Sequence, residues 1–218
     1  MSAKKETTNW KQVKDCINKH NENSLEIGQE FTDADGTIYQ VANINTERHE
    51  VIFIRKYILP DMYAMNFCES NSGGWKESSL RKYLNMKVIL ELSDELRSVI
   101  TPRTYMVSKG GKKEELDEIT DILFLPREGD MLSERNLAAK SEYDEGNATQ
   151  WTLCKKTKER IKTFHDDYGK AYYYWLSSPV VNNSMTFCLM SGAGFVSHVN
   201  AICEGGIVPC FMIASEEV

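Results

Sequence analysis

The spacing of hydrophobic residues changes several times along this chain, and each spacing predicts a different kind of element. Near the start, Trp10, Val13, Cys16 and Ile17 fall on one side of the chain when it is wound as a helix, so they predict a short amphipathic helix. We interpret residues 1–24 as an N-terminal docking helix or arm. No linker rich in Pro, Gly or Ser divides the remainder, so residues 25–218 are predicted to form a single domain.

Two regions have the pattern of antiparallel strands. Between residues 31 and 59, short apolar runs flank the turn dipeptide Asp35-Gly36 and a polar break at residues 45–48. Short runs separated by turn residues predict a meander, and the last quarter of the chain repeats the pattern with glycine-bearing turns. The strands predicted there are residues 172–176, 186–190, 195–200 and 207–213.

Helical spacing appears between these two regions. Apolar residues three and four positions apart between 80 and 88 predict one helix. Ser93 is a favourable N-cap for a second helix, since Asp94 and Glu95 follow it and suit the positive end of the helix dipole. Pro102 is expected to end that helix.

The rest of the middle region is less regular. Residues 109–115 are glycines and charged residues, which predict an exposed loop, and the apolar run 122–125 before Pro126 predicts a buried strand. The mixed polar stretch 127–150 is expected to be irregular, with one helical turn around Leu137. Strands at both ends with two main helices between them predict an α+β domain with antiparallel sheets, in which the terminal meander pairs with the initial one.

The charge balance narrows the possible partners. The 218 residues include 26 Lys and Arg against 32 Asp and Glu, a net charge of −6. This balance argues against a broad nucleic-acid interface, which needs clustered cations. No apolar run reaches the length of a membrane span, and no signal sequence begins the chain, so export by the ordinary secretory route is not expected and the expected location is the cytoplasm.

The sequence lacks the motifs that metal or cofactor binding requires. The six cysteines are far apart and are expected to be mostly buried free thiols, and the four histidines have no metal-ligand spacing. Asp33-Ala34-Asp35-Gly36 departs from a calcium loop and fits a hairpin turn. His165-Asp166-Asp167 could hold an acid/base pair, although residues 166–170 fit a hairpin tip better. We therefore predict no catalytic residue, no metal and no cofactor.

The segment 175–204 has the composition of a recognition surface. Small polar residues such as Asn182, Ser197 and His198 alternate there with Met190 and Phe195. Adaptable polar groups interleaved with aromatic and methionine side chains are typical of surfaces that bind without fixed catalytic geometry. The same composition also fits a solvated hairpin face with no partner.

Three further motifs are WKESSLRKYLN at residues 75–85, TDILFL at 120–125, and the pair YWLSSP at 174–179 and GIVPCF at 206–211. Together they resemble a family of uncharacterised bacterial and phage domains of unknown function, whose layout is related to C-type-lectin-like domains and to formylglycine-generating enzymes. The resemblance adds a phage particle to the cytoplasm as an expected location. Some members of that family resemble the variable proteins of diversity-generating retroelements, with a fixed G-x-V that Gly194-Phe195-Val196 matches. The resemblance implies a C-type-lectin-like fold and a non-catalytic domain that binds a protein or glycan through a variable surface near its end. The residues it marks as variable contacts are Val180, Val181, Asn182, Asn183, Thr186, Met190, Ser191, Phe195, Ser197, His198, Asn200, Ile202 and Cys203.

Two departures from the family motifs leave questions open. Ser177 and Val208 replace arginines of the signatures, which either pair with an interior carboxylate or contact the ligand. Two alternative functions also stay open: an enzyme using Cys203 or Cys210 with His198 or His165, and a structural component of a phage particle.

Overall fold

A computed structural model describes residues 7–144, 147–165 and 169–216. Its helices are α1 (Trp10–Asn18), α2 (Gly74–Glu77), α3 (Ser79–Met86), α4 (Asp94–Val99), α5 (Glu128–Met131) and α6 (Thr157–Arg160). Its strands are β1 (Glu30–Thr32), β2 (Ile38–Asn45), β3 (Glu50–Arg55), β4 (Tyr63–Ala64), β5 (Arg103–Ser108), β6 (Leu116–Asp121), β7 (Lys162–Thr163), β8 (Ala171–Tyr172), β9 (Tyr174–Pro179), β10 (Thr186–Met190), β11 (Val196–Asn200), β12 (Glu204–Gly205) and β13 (Cys210–Ala214). The chain is therefore α+β with antiparallel sheets, as predicted.

The largest sheet joins distant parts of the chain. Its order is β1-β2-β3-β13, and all of its strand pairs are antiparallel. In the pairing of β13 with β3, Phe211 lies opposite Phe53 and their rings stack at 5.1 Å between centroids. The predicted pairing with the initial meander is confirmed for the last strand, β13, whereas β9, β10 and β11 form a sheet of their own.

Helix α1 is tied into the core under this sheet. Asn9 caps it, since its side-chain oxygen accepts a hydrogen bond from the backbone N–H of Gln12 at 3.0 Å. The ring of Trp10 is fully buried, with its centroid 5.7 Å from those of Phe53 and Phe211. Its Nε1 donates to Oδ1 of Asp33 at 3.1 Å, so the one polar atom of the ring is satisfied. The predicted docking helix thus contributes a central core residue.

A second sheet, of order β11-β10-β9, carries the segment predicted to bind. Every residue of β9 and β10 is buried, so both faces of these strands are covered by other parts of the protein. The edge strand β11 is different, since Ser197 and His198 are exposed and Val196 and Val199 pack partly against the core. The buried strands β9 and β10 are therefore scaffold, and β11 carries the exposed side chains of this sheet.

The prediction of a strand at residues 122–125 is wrong. The strand β6 lies just before this run and forms a hairpin with β5 around the charged loop 109–115. The side chain of Asn85 takes the place of a strand partner: its Oδ1 accepts from the backbone N–H of Ile122 at 3.2 Å and of Leu123 at 3.0 Å, and its Nδ2 donates to the Leu123 carbonyl at 2.8 Å. Residues 123–125 are buried without forming a strand, apart from a single bridge between Phe124 and Cys210, and Ile122 is exposed.

The helical turn predicted around Leu137 is also wrong. Single turns of helix lie on either side of it, at α5 and at Lys140–Glu142. The buried carboxylate of Glu128 accepts hydrogen bonds from the backbone N–H groups of Asn136, Leu137 and Ala138 at 2.8 to 3.1 Å. These bonds replace those that a helical turn would make, and they satisfy a charge that would be costly to bury alone.

The two positions that depart from the family arginines lie in the interior. Ser177 is 1% exposed and Val208 is fully buried. The nearby buried carboxylate of Asp130 is paired by Arg127, whose Nη2 donates to it at 2.9 Å, and faces Arg103 at 3.8 Å. Asp130 is therefore paired with arginines that are not the two signature arginines. Since Ser177 and Val208 are buried, neither position can contact a ligand at the surface.

Candidate functional site

The thirteen residues marked as variable contacts separate into an outer and an inner set. The outer set is exposed or partly exposed and consists of Asn182, Asn183, Ser191, Phe195, Ser197, His198, Asn200, Ile202 and Cys203. Phe195 is 63% exposed and Ile202 is 43% exposed, which is unusual for such apolar side chains. We call this outer set the β11 surface.

The inner set corrects the sequence prediction. Val180, Val181, Thr186 and Met190 are each less than 9% exposed, and Met190 is fully buried. Met190 lies between Tyr174 of β9 and Val196 of β11 in the strand register, and the N–H of Val181 donates to the carbonyl of Leu137. These side chains support the fold, so the prediction that they face a ligand is wrong.

The open edge of β11 is the main geometric feature of the surface. In the part of the chain that the structure describes, β10 is the strand bonded to β11, and no strand pairs with its other edge. An unpaired edge presents backbone N–H and C=O groups that can accept a further strand, and proteins usually protect such edges with Lys, Pro or a bulge. The β11 sequence, Val196–Asn200, contains no lysine or proline, and its pairing with β10 runs without a break in register.

The turn before β11 is held in one shape. Gly194 has a φ of +80°, and a Cβ there would lie 2.7 Å from the carbonyl oxygen of Thr157, so this position requires glycine. The N–H of Ser191 donates to the carbonyl of Phe195 at 2.8 Å, and the Ser191 Oγ accepts from the N–H of Phe195 at 3.2 Å. The turn therefore presents the Phe195 ring to solvent from a fixed backbone.

The turn before β10 is held by a residue that the sequence reasoning missed. Asn71 is fully buried, and its Nδ2 donates to the carbonyl oxygens of Asn183 at 2.6 Å, Thr186 at 2.8 Å and Val180 at 3.2 Å. Its Oδ1 accepts from the N–H of Gly111 at 2.8 Å. The run Asn-Ser-Gly-Gly that begins at Asn71 signals a turn, but its distant partners leave no local pattern.

An exposed apolar patch borders the β11 surface. The N–H of Asn66 donates to the carbonyl of Ala201, and the N–H of Ala201 donates to the carbonyl of Met185, both at 2.9 Å. These bonds bring three neighbouring loops together, on which Phe67 is 78%, Ile202 is 43% and Met185 is 39% exposed. Exposed apolar clusters of this kind commonly mark interaction sites.

Cys210 is poorly placed to act as a nucleophile on this surface. Cys210 is fully buried, and burial raises the pKa of its thiol well above the ordinary value, which keeps it protonated. Its Sγ contacts the carbonyl oxygen of Val208 at 3.7 Å, and both Cys203 and Cys210 are free thiols. The protonated, enclosed thiol argues against Cys210 as a nucleophile. The possible acid/base pair at Asp166 and Asp167 lies outside the described residues.

Two further searches concern metals and membranes. Among the residues with described side chains, no three His, Cys, Asp or Glu side chains lie close enough to hold a metal ion. No helix in the described ranges is long and apolar enough to cross a membrane.

The fold and this surface define an α+β domain with a rigid scaffold and an open, mixed polar and aromatic edge. The chain belongs to the family described as domain of unknown function DUF6273, whose model matches residues 49–215. No curated protein and no solved structure is significantly similar to the chain.

Proposed function

We propose that this protein is a non-catalytic recognition domain that binds an extended segment of a partner protein along the open edge of β11. The observation that carries the proposal is the unprotected edge of β11, next to the fixed Phe195 and the exposed side chains of Ser197 and His198. Backbone groups of the edge would provide affinity, and the exposed side chains would provide selectivity.

The rigidity of the scaffold supports this proposal. β11 rests on β10, which is buried throughout, and the turn before β10 and the turn between β10 and β11 are fixed by Asn71 and Gly194. A binding edge that is already ordered loses little conformational entropy when a partner adds to it. The neighbouring apolar patch of Phe67, Ile202 and Met185 offers additional area for contact.

The finer fold and the origin of the surface belong to the same proposal. We assign the C-type-lectin-like layout that the motif resemblance implies, supported by antiparallel sheets with α3 and α4 between their strands. If the surface is diversified by a retroelement, the outer set should vary and the inner set should not. A template repeat and a reverse-transcriptase gene beside the coding sequence would support this origin, and their absence would contradict it.

The binding proposal is tested by selecting linear peptides from a display library on the full chain. Selected peptides should slow amide hydrogen exchange across Val196–Asn200. Ser197→Lys places a charge on the open edge of β11. It should lower the affinity of the selected peptides at least about tenfold, or about 1.4 kcal/mol. The triple replacement of Phe195, His198 and Asn200 by Ala should also weaken binding.

The matched control is the double variant Met86→Ala/Leu90→Ala, which removes exposed apolar side chains on and just after α3. It should leave peptide affinity unchanged. Peptides that bind equally well to wild type and Ser197→Lys would overturn the proposal. Binding of glycans, rather than peptides, to the same outer residues would replace a protein partner with a carbohydrate.

A further inference from the structure

A second concave site, which shares no residue with the β11 surface, lies beside strands β4, β8 and β12. It is an open groove of about 600 Å³, and its aromatic lining comes from Tyr63, Tyr83, Phe164 and Tyr172. Its volume falls in the range of ordinary ligand-binding clefts. Neither the motif resemblance nor the predicted binding surface accounts for it.

The aromatic walls of the groove are rigid. The rings of Tyr63 and Tyr83 stack at 4.5 Å between centroids with 9° between their planes, and those of Tyr172 and Tyr173 stack at 4.7 Å. The carbonyl of Tyr63 accepts a hydrogen bond from the buried indole N–H of Trp175 at 2.8 Å. Each stacked pair is therefore fixed before any ligand arrives.

The pairing of β12 with β4 places a carboxylate beside this aromatic wall. Glu204 lies opposite Ala64, next to Tyr63, and its carbonyl accepts a hydrogen bond from the Tyr173 hydroxyl at 2.5 Å. The backbone of Glu204 is thus anchored while its side chain is exposed in the groove. Asp61 contributes a second exposed carboxylate to the same lining.

The groove has an excess of negative charge. Lys170 is the cationic side chain among the lining residues, against the two carboxylates of Asp61 and Glu204. Among the described residues, neither carboxylate has an ion-pair partner within 4 Å. Unpaired carboxylates beside aromatic faces attract cations, because the ring faces and the carboxylates are both negative.

From these observations we infer that the groove binds an organic cation, a guanidinium or alkylammonium group, between the tyrosine pairs and beside Asp61 and Glu204. The cation would stack on a tyrosine face and pair with the carboxylates. The group could be the basic side chain of a peptide or a free organic amine, since both present the same chemistry. None of the lining residues belongs to the β11 surface, so the inference does not depend on the proposed function.

Titration calorimetry of the full chain with N-acetyl-arginine amide tests the inference, with the neutral isostere N-acetyl-citrulline amide as the matched ligand. The arginine compound should bind saturably, and the citrulline compound should bind at least about fivefold more weakly. The double variant Asp61→Asn/Glu204→Gln should weaken the arginine compound about tenfold while leaving the melting temperature unchanged. Glu118→Gln, an exposed change on β6, is the control and should have no effect.

The remaining arms identify the source of the cation. Tighter binding of a Gly-Gly-Arg-Gly-Gly peptide than of arginine amide would indicate a peptide side chain, and tighter binding of tetramethylammonium would indicate a free amine. Equal binding of the arginine and citrulline compounds, full affinity in the double variant, or no saturable binding of any cation would overturn the inference. Saturable binding of cellobiose alone would assign the groove to a neutral sugar and would also overturn it.

Discussion

At the scale of single residues, Asn71 has an influence out of proportion to its size. One buried amide group fixes the turn before β10 through the carbonyls of Val180, Asn183 and Thr186. Removing it takes one donor from each of these carbonyls and also removes the acceptor of the Gly111 N–H. The Val180 and Thr186 carbonyls each keep a backbone donor, from the N–H groups of Asn183 and Val180. Several hydrogen bonds of one fully buried amide are nevertheless lost together, which costs more than the net value of a single hydrogen bond.

We therefore expect Asn71→Ala to lower the free energy of unfolding by about 2 to 3 kcal/mol in urea denaturation. Asn182→Ala, an exposed change in the same turn, should alter it by less than about 0.5 kcal/mol. A similar effect from both variants would mean that Asn71 does not hold the turn.

At the scale of elements, the sequence predicts features that depend on neighbouring residues and misses those that depend on contacts between distant residues. The capping of α4 by Ser93 was visible in the sequence because all the groups involved are neighbours in the chain, and its Oγ accepts from the N–H of Leu96 as expected. The burial of Val180 and Met190 was not visible, since a strand covered on both faces shows no alternation of apolar and polar residues. The prediction of a strand at residues 122–125 fails for a similar reason, because the backbone of Ile122 and Leu123 bonds to the distant side chain of Asn85.

Helix α1 provides the test at this scale. Trp10 fills the centre of an aromatic cluster with Phe31, Tyr39, Phe53 and Phe211, so Trp10→Ala should cost about 3 to 5 kcal/mol in the free energy of unfolding. Chemical denaturation followed by circular dichroism measures this loss. The exposed Lys11→Ala on the same helix should cost less than about 0.5 kcal/mol. A small loss for Trp10→Ala would mean that α1 is an accessory arm.

At the scale of the whole molecule, a buried charge cluster links stability to pH. Burial raises the pKa of Glu142 to about 7 from an ordinary value of 4.5, and the Glu128 and Asp130 carboxylates facing it add to that rise. The hydrogen bond from Ser178 and the positive charge of Arg127 oppose the rise. The folded protein therefore favours the protonated form of Glu142.

The sign of the effect follows from this raised pKa. The stability contributed by protonated Glu142 is fully present below pH 4.5 and is lost as the pH rises through about 7. We expect a loss on the order of 3 kcal/mol across that window in wild type and a flatter profile in Glu142→Gln, measured by urea denaturation at each pH. Asp130, whose pKa is lowered from 3.8, titrates in a more acidic range and should not mask the effect. Identical pH profiles for the two proteins would contradict the assignment.

The pairing of β13 with β3 has a consequence for how the protein is made in the cell. Phe53 cannot meet Phe211 until the ribosome has synthesised everything from β4 to β12 and β13 has left the exit tunnel. Until then the side chains of Trp10, Phe31 and Phe53 lack the cover of Phe211, and their apolar surface is exposed. Exposed apolar surface of this kind is what molecular chaperones bind. We therefore expect the nascent polypeptide to be most prone to aggregation in the interval between the synthesis of β3 and that of β13.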